Sequence, residues 1–219
     1  MKFPNFSEEK KLWRKGIVYV IGVDEVGRGC FAGPVVAAAV IFKKGYKLDG
    51  GLLSKINDSK LVAPKLRKIL SEEIKRKVLS FAISKVGIST INKIGIGKAT
   101  QKAMRKCIMA TIKRTTNQAK NRSLIFVLAD GFHIRYIRGV GLSHQKGIIK
   151  GDQKSISIAA ASIIAKVYRD KLMKKLNRKY PGYGFSRNKG YGTKYHQKAM
   201  RKYGLSDIHR TSFNLNKFL

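Results

Sequence analysis

Only 12 Asp and Glu stand among 219 residues, against 47 Lys and Arg, so the places where acids fall are informative. Asp24 and Glu25 close the apolar run IVYVIGV (17–23), Asp130 closes LIFVLA (124–129), and Asp152 lies in KGDQKS just ahead of an alanine-rich stretch. Carboxylates are hard oxygen donors, the kind Mg2+ takes together with water and phosphate oxygens. Four of them brought to one place can hold two divalent cations for an in-line displacement at phosphorus. Each acid also has a plainer explanation. A lone aspartate at a strand end commonly forms a turn, and Asp152 by itself reads as a helix N-cap. The adjacent Asp24-Glu25 pair is harder to explain that way, because uncompensated charge after a buried run is costly. Metal ligation is one form of compensation among several. Neighbours in a regular strand point to opposite faces, so these two acids share a site only if the chain bends. Gly27 and Gly29 supply the freedom for such a bend.

The elements that must position these acids follow from apolar patterning. Residues 17–23 form a β-branched, nearly unbroken run that reads as a strand buried on both faces. GPVVAAAVIF (33–42) reads as a second strand entered through a glycine turn, and FAISKVGI (81–88) as a third. Between them, residues 57–77 read as a cap and helix, begun at Asp58 or Ser59 or with Pro64 in the first turn. Residues 89 to about 120 read as mainly helical, with Ala99, Ala103, Cys107 and Ala110 at spacings of three and four. LIFVLA is another buried strand, and IRYIRGVGLS a weaker one. ISIAAASIIAKVYRDKLMKKL (156–176) reads as a helix, apolar first and basic last, as the helix dipole favours. A glycine and tyrosine loop (180–196) and a basic helix at about 194–203 follow. Mixed strands and helices without repeat or linker point to the α/β class, a mixed central sheet flanked by helices. The expected organisation is one domain over residues 1–219, with a core at about 17–177 and a C-terminal helical and loop extension at about 178–219.

The formal net charge is +35. Such an excess repels itself unless a polyanion neutralises it, and nucleic acid does so with release of counterions. Cys30 and Cys107 make no CxxC pair and no disulfide framework, which fits a reducing cytoplasm. No apolar run approaches the roughly 20 residues needed to span a bilayer, and the charged N-terminus lacks a signal-peptide apolar region. A monomer is expected, since no apolar stripe exceeds the needs of a core. GIGKAT (95–100) lacks the first glycine of a phosphate loop and the Ser or Thr after its lysine, so it reads as a turn entering a helix, with no nucleoside triphosphate site. His196 and His209 are not spaced like zinc ligands, and Asp170 beside Arg169 reads as helix packing and ion pairing.

Further along, the motifs become those of a family. GVDEVGRG (22–29) followed by AGPVVAAAVI resembles the opening of type 2 ribonuclease H, ribonuclease HII. The resemblance continues in order through NDSK (57–60), LADG (128–131), KGD (150–152), SISIAAASIIAKVYRD (155–170), YPGYGF (180–185), NKGYGT (188–193) with His196, and HRTSF (209–213). It covers about residues 17–213. Cys30-Phe31 stands where Pro-Leu is usual, and Leu61 where a second lysine is common; neither touches a carboxylate. Beside Gly27-Arg28-Gly29, Cys30 reads as a small buried hydrophobe.

The resemblance implies a ribonuclease H-like fold with a C-terminal helical extension. It implies cleavage of RNA in RNA–DNA hybrids and nicking 5′ of single ribonucleotides in duplex DNA, leaving 3′-hydroxyl and 5′-phosphate ends. The metal ligands it implies are Asp24, Glu25, Asp130 and Asp152, holding Mg2+ or Mn2+. The ribonucleotide-reading loop falls on Gly27, Arg28 and Gly29, and the junction tyrosine on Tyr191. Without the resemblance, Arg28 would read as a surface ion pair and Tyr191 as a core aromatic with a wet hydroxyl. Lys60 and Lys154 are candidate phosphate contacts among many lysines. Two other classes compete. A non-catalytic basic binding protein explains the charge but not four acids in matching blocks. Ribonuclease HIII shares the carboxylates but carries an N-terminal substrate-binding domain, for which about 16 residues ahead of the first strand leave no room.

Overall fold

The computed structural model describes residues 3–48, 50–115 and 122–219. Five strands form one mixed sheet in the order β3-β2-β1-β4-β5. They are β1 (Tyr19–Val26), β2 (Val35–Ile41), β3 (Ser80–Val86), β4 (Ile125–Asp130) and β5 (Gln145–Ile148). The first three pair antiparallel as a meander, while β4 and β5 extend the sheet in parallel on the other side of β1. The hydrophobic runs are long because both faces are covered. Val20, Val36, Ala38 and Val40 pack toward α4 (Ile156–Lys179), whereas Ile21, Val23, Val35, Ala37 and Ala39 pack toward α3 (Ile88–Thr115).

Small residues set the distance between α4 and β1. A Cβ added at Gly22 would lie 2.2 Å from the main-chain carbonyl carbon of Ser157 and 2.5 Å from the nitrogen of Ile158. The helix backbone therefore rests directly on the strand backbone, and Ala159, Ala160, Ala161 and Ala165 keep the rest of the interface thin. Ser155 starts α4: its hydroxyl oxygen accepts the Ile158 N–H at 3.3 Å, an N-cap. The same hydroxyl donates to Glu9 at 2.6 Å, and Glu9 also accepts the Ser157 N–H at 3.0 Å. Glu9 belongs to α1 (Ser7–Arg14), a short amphipathic helix that sequence patterning did not single out. It places a carboxylate at the positive end of α4, while burial pushes that carboxyl above its ordinary range.

Several boundaries differ from expectation. α2 runs Pro64–Lys77 with proline in its first turn, so Asp58 and Ser59 lie in the preceding turn and do not start it. α3 is broken at Gly95, whose φ of 76° and ψ of 158° are not helical. The expected helix end beyond Thr115 falls outside the described residues. The weak strand expected in IRYIRGVGLS is absent: those residues form turns, with Tyr136 at φ 61°, and the strand is β5 just downstream. β5 is short and edge-placed, and QKGI carries little apolar signal. The C-terminal segment packs α5 (Phe185–Asn188) and α6 (Lys194–Tyr203) near the later part of α4, through Met173, Tyr183, Phe185, Ala199 and Ile208. Among the described residues, no helix is long and apolar enough to cross a membrane.

Candidate active site

The bend expected after Val23 does not occur within the strand. Asp24 and Glu25 pair in unbroken register with Ala38 and Ala37 of β2, and the ladder continues to Val26. On the other side the ladder to β4 ends at Val23 and Ala129. The two acids therefore stand on opposite faces at the rim of the sheet, where β1 runs beyond β4, and a group bound by both has to sit past that rim. Asp130 ends β4 at the same rim. Its Oδ1 accepts the Gly151 N–H at 2.7 Å, and Gly131 N–H donates to Ile148 at 2.9 Å, so the β5-to-α4 turn is clipped beside it. Asp152 lies in that turn. It is not the cap of α4, a role held by Ser155, so its carboxylate is free for another role.

The electrostatics tie the four acids together. Burial first, then Glu25, with Asp130 adding to it, raise the Asp24 carboxyl well above its ordinary value, and the Ser162 hydroxyl partly offsets this. Burial raises Glu25, Arg28 opposes, and Asp130 raises it further. Asp152 is pushed from 3.8 to about 6 by burial, then by Asp58 and Asp130, with Lys60 opposing. Asp58 is a fifth acid, buried, that the sequence offered only as one possible helix start. Its Oδ1 accepts the Lys60 N–H at 2.9 Å and its Oδ2 accepts the Gln153 side-chain amide at 3.4 Å. The signal was its place in NDSK, one of the matching blocks. Among the described residues, no three Asp, Glu, His or Cys side chains lie close enough together to hold a metal ion as they stand. The donors nevertheless fit a hard cation: all are carboxylate oxygens, and their mutual repulsion is what a divalent ion relieves.

Burial, and after it that repulsion, has a testable consequence for stability. A carboxyl whose pKa is higher in the folded than in the unfolded state binds more protons when folded, so its cost is absent below the unfolded value, grows between the two values and is complete above the folded one. For Asp152 the window runs from 3.8 to about 6. In EDTA, Asp152→Asn should therefore be more stable than the parent at pH 7.5, by roughly 2 kcal/mol once solvent screening of a partly buried charge is discounted. The gain should shrink through pH 5 and vanish near 3.8. Thermal melts across that range check it, and a gain that does not change with pH would refute the cause.

Gly27, Arg28 and Gly29 follow β1. Gly27 has φ 89°, and a Cβ there would lie 2.1 Å from Arg169 Nε. Two fully buried arginines hold this loop and the segments beside it by main-chain carbonyls. Arg210 donates to Gly27 at 2.6 Å, Arg28 at 2.8 Å and Gly33 at 2.8 and 3.0 Å. Arg169 donates to Ala32, Pro34 and Lys189 at 3.2, 3.0 and 2.8 Å. The Arg28 side chain itself is exposed, with its guanidinium 5.5 Å from the Phe132 ring centre.

Tyr191 lies across from this loop, partly exposed, with Lys166 Nζ at 5.9 Å and the Arg169 guanidinium at 6.0 Å from its ring centre. Burial, followed by Cys30, pushes its hydroxyl up to about 12, so it stays a donor at neutral pH. Cys30 is buried, with its thiol also raised by burial, as a small apolar filler would be. Behind Tyr191, His196 and His209 turn out to be paired, Nε2 to Nε2 at 3.0 Å. The Ser206 N–H donates to His209 Nδ1 at 2.9 Å, so His209 carries its proton on Nε2 and gives it to His196 Nε2. His196 Nδ1–H then donates to the Tyr191 carbonyl at 2.8 Å. Burial lowers both histidines, His209 to about 4, which keeps this neutral relay intact at pH 7.

Of the two candidate lysines, Lys60 is exposed near Asp152 and Glu25, and Lys154 is exposed after the Asp152 turn, its carbonyl accepting the Asn5 N–H at 3.4 Å. Asp170 makes the expected ion pairs, with Lys166 at 2.9 Å and Arg67 at 3.6 Å.

A model of the Ribonuclease HII family matches residues 21–216. The chain belongs to the ribonuclease HII family. Its similarity to the ribonuclease HII of Acholeplasma laidlawii is 46% identity over 213 residues, covering 97% of this chain and 96% of that protein. For the Clostridioides difficile ribonuclease HII the figures are 44% over 208 residues, 95% and 74%. Among solved structures, the fold matches ribonuclease H2 from Pyrococcus horikoshii with a TM-score of 0.70 at 22% identity, covering 91% of this chain and 96% of that one. It matches Bst-RNase HIII in complex with Mn2+ with a TM-score of 0.69 at 21% identity, covering 94% and 70%. The mixed sheet and its flanking helices are thus a ribonuclease H-like fold. As a ribonuclease HII the chain is an endonuclease, a phosphodiester hydrolase acting on RNA–DNA hybrids.

Proposed function

We propose that this ribonuclease HII cuts on the 5′ side of a ribonucleotide, in hybrids and at single ribonucleotides within duplex DNA, leaving 3′-hydroxyl and 5′-phosphate ends. The observation that carries the proposal is that Asp24, Glu25 and Asp130 stand at one rim of the sheet with Asp152 in the turn clipped beside it, and that burial and neighbouring acids raise the proton affinity of Asp24, Glu25 and Asp152. Two Mg2+ or Mn2+ ions held by these four side chains would supply Lewis acidity and offset charge at the phosphate. The protein's own groups do the rest. Gly27 and Gly29 let main-chain groups approach a ribose without an intervening side chain. Arg28 offers planar donors to a phosphate. Tyr191 stacks on the sugar beyond the junction and donates to the 2′-hydroxyl, the group that distinguishes RNA from DNA. Lys60 and Lys154 add positive charge along the approaching strand.

The test is a duplex carrying one ribonucleotide, incubated with Mg2+, with Mn2+ or with EDTA. A single nick 5′ of the ribonucleotide, present only with metal and ending in 3′-hydroxyl, is the expected result. Binding without any metal-dependent nick would favour a non-catalytic binding protein. A 2′,3′-cyclic phosphate product would mean that the ribose attacks its own phosphate, and the proposed chemistry would fail.

A further inference from the structure

A second feature of the surface lies beside the carboxylate cluster and takes no part in it. Between α3 and the loop of residues 131–138 runs a cleft of about 860 Å3, lined by Arg28, Lys98, Gln101, Arg105, Arg135 and Tyr136 among others. Its lining holds four Lys or Arg side chains and no carboxylate. One end is Arg28, the middle residue of the loop that follows Asp24 and Glu25, so the cleft opens from the candidate active site.

Tyr136 is the most unusual residue in the wall. It is 86% exposed, and its backbone is left-handed at φ 61°. A non-glycine residue in that conformation costs of order 1 kcal/mol and persists only where the surroundings impose it. Here they do. The Gln101 side chain accepts the Arg135 N–H at 3.0 Å and donates to the His133 carbonyl at 3.2 Å. Arg105 donates to the Arg135 carbonyl at 3.1 Å, and Gln145 accepts the Ile134 N–H at 3.0 Å. Ile134 and Ile137 anchor the loop in the core. The loop is thus fixed on both sides of a tyrosine whose ring is given to solvent. A fixed aromatic ring among cations is what a sugar-phosphate strand binds: rings take sugar or base faces, and cations take phosphates. An acidic polypeptide would use the cations but leave the ring without purpose.

We infer that this cleft is a strand-binding subsite that holds the nucleic acid several nucleotides from the cut, on the Arg28 side. The inference rests on the nuclease proposal only for the strand's arrival at Arg28; occupancy of the cleft is a matter of binding, not cutting. Gln101 and Arg105 act by holding the loop, and Tyr136 and Lys98 touch the strand.

The experiment measures binding by fluorescence anisotropy, in EDTA, with Asp130→Asn as the parent so that no cutting intervenes. Duplexes carrying one ribonucleotide are shortened one base pair at a time, from each end separately. The parent should lose affinity steeply at one point on one side. Adding Tyr136→Ala and Lys98→Gln should weaken binding of the long duplex roughly tenfold. It should abolish that step while leaving the other side's length dependence unchanged. The salt slope should fall by about 1 with Lys98→Gln alone. Both side chains are exposed, so melting temperatures should stay at the parent's value. Equal weakening at every length, no weakening, or a parent without any one-sided step would overturn the subsite. So would loss of affinity for polyglutamate with none for duplex. A failed nicking assay with these binding results intact would instead fault the nuclease proposal.

Discussion

Asp130→Asn should slow hybrid cleavage by roughly a thousandfold or more, because several kcal/mol of charge stabilisation at phosphorus leaves with the ligand. It should not unfold the chain. The asparagine carbonyl can still accept the Gly151 N–H that Asp130 Oδ1 takes at 2.7 Å, so the turn carrying Asp152 stays clipped to β4. Removing this charge also relieves Asp24, Glu25 and Asp152, each of which Asp130 pushes upward. Hybrid affinity in EDTA should therefore be equal or tighter, since a phosphate then approaches a less negative rim. Single-turnover kinetics and a binding titration separate the two quantities. Full activity in Asp130→Asn would remove this acid from the reaction, and a parallel loss of binding would make its role structural.

The second large effect belongs to a residue that touches no acid. Arg210→Met should lower unfolding free energy by about 3–6 kcal/mol, because the carbonyls of Gly27, Arg28 and Gly33 lose their donors, at roughly 1–3 kcal/mol for each buried acceptor. Removing a buried cation returns part of its desolvation cost, which is why the range stops short of the full sum. Arg210→Lys should fare little better, since an ammonium lacks the fork that reaches several carbonyls at once. The functional signature is sharper. At a temperature where the variant is still folded, cleavage should fall because Gly27–Gly29 is no longer held, while Tyr191 keeps its own support from His196. Urea unfolding and kcat/KM measured together decide it. A stable Arg210→Met enzyme with normal kinetics would show that the loop holds its shape unaided.

How much of this was legible beforehand depends on the kind of interaction. Asp24, Glu25 and Asp130 stood out as candidates because acids at the ends of buried strands are rare, and strand ends converge at a sheet rim. Asp152 was ambiguous until Ser155 proved to be the cap. Asp58 was one of three possible helix starts, because an aspartate ahead of a proline-started helix looks like its beginning, and nothing local reveals a neighbour 94 residues on. Arg169 and Arg210 were invisible for a different reason: among so many cations, none signals by composition that it is buried. The histidine pair failed the test for zinc spacing, and a hydrogen bond between rings 13 residues apart leaves no pattern in the chain. In the fold, long apolar runs predicted β1, β2 and β4. The edge strand β5 escaped because it is short and only half apolar, and α1 because its few buried residues include a glutamate.

The contact of Gly22 with the main chain of Ser157 bears on how the enzyme tolerates change. Gly22 is two residues from Asp24, and Ser157 is five from Asp152, so the span between the two acids is gauged by peptide groups in touch. Side chains elsewhere in the core can shrink or swap without lengthening that gauge. Variants with a loosened interior should therefore keep full turnover per folded molecule up to their melting point, and mutational drift in this family member should erode lifetime well before it erodes chemistry.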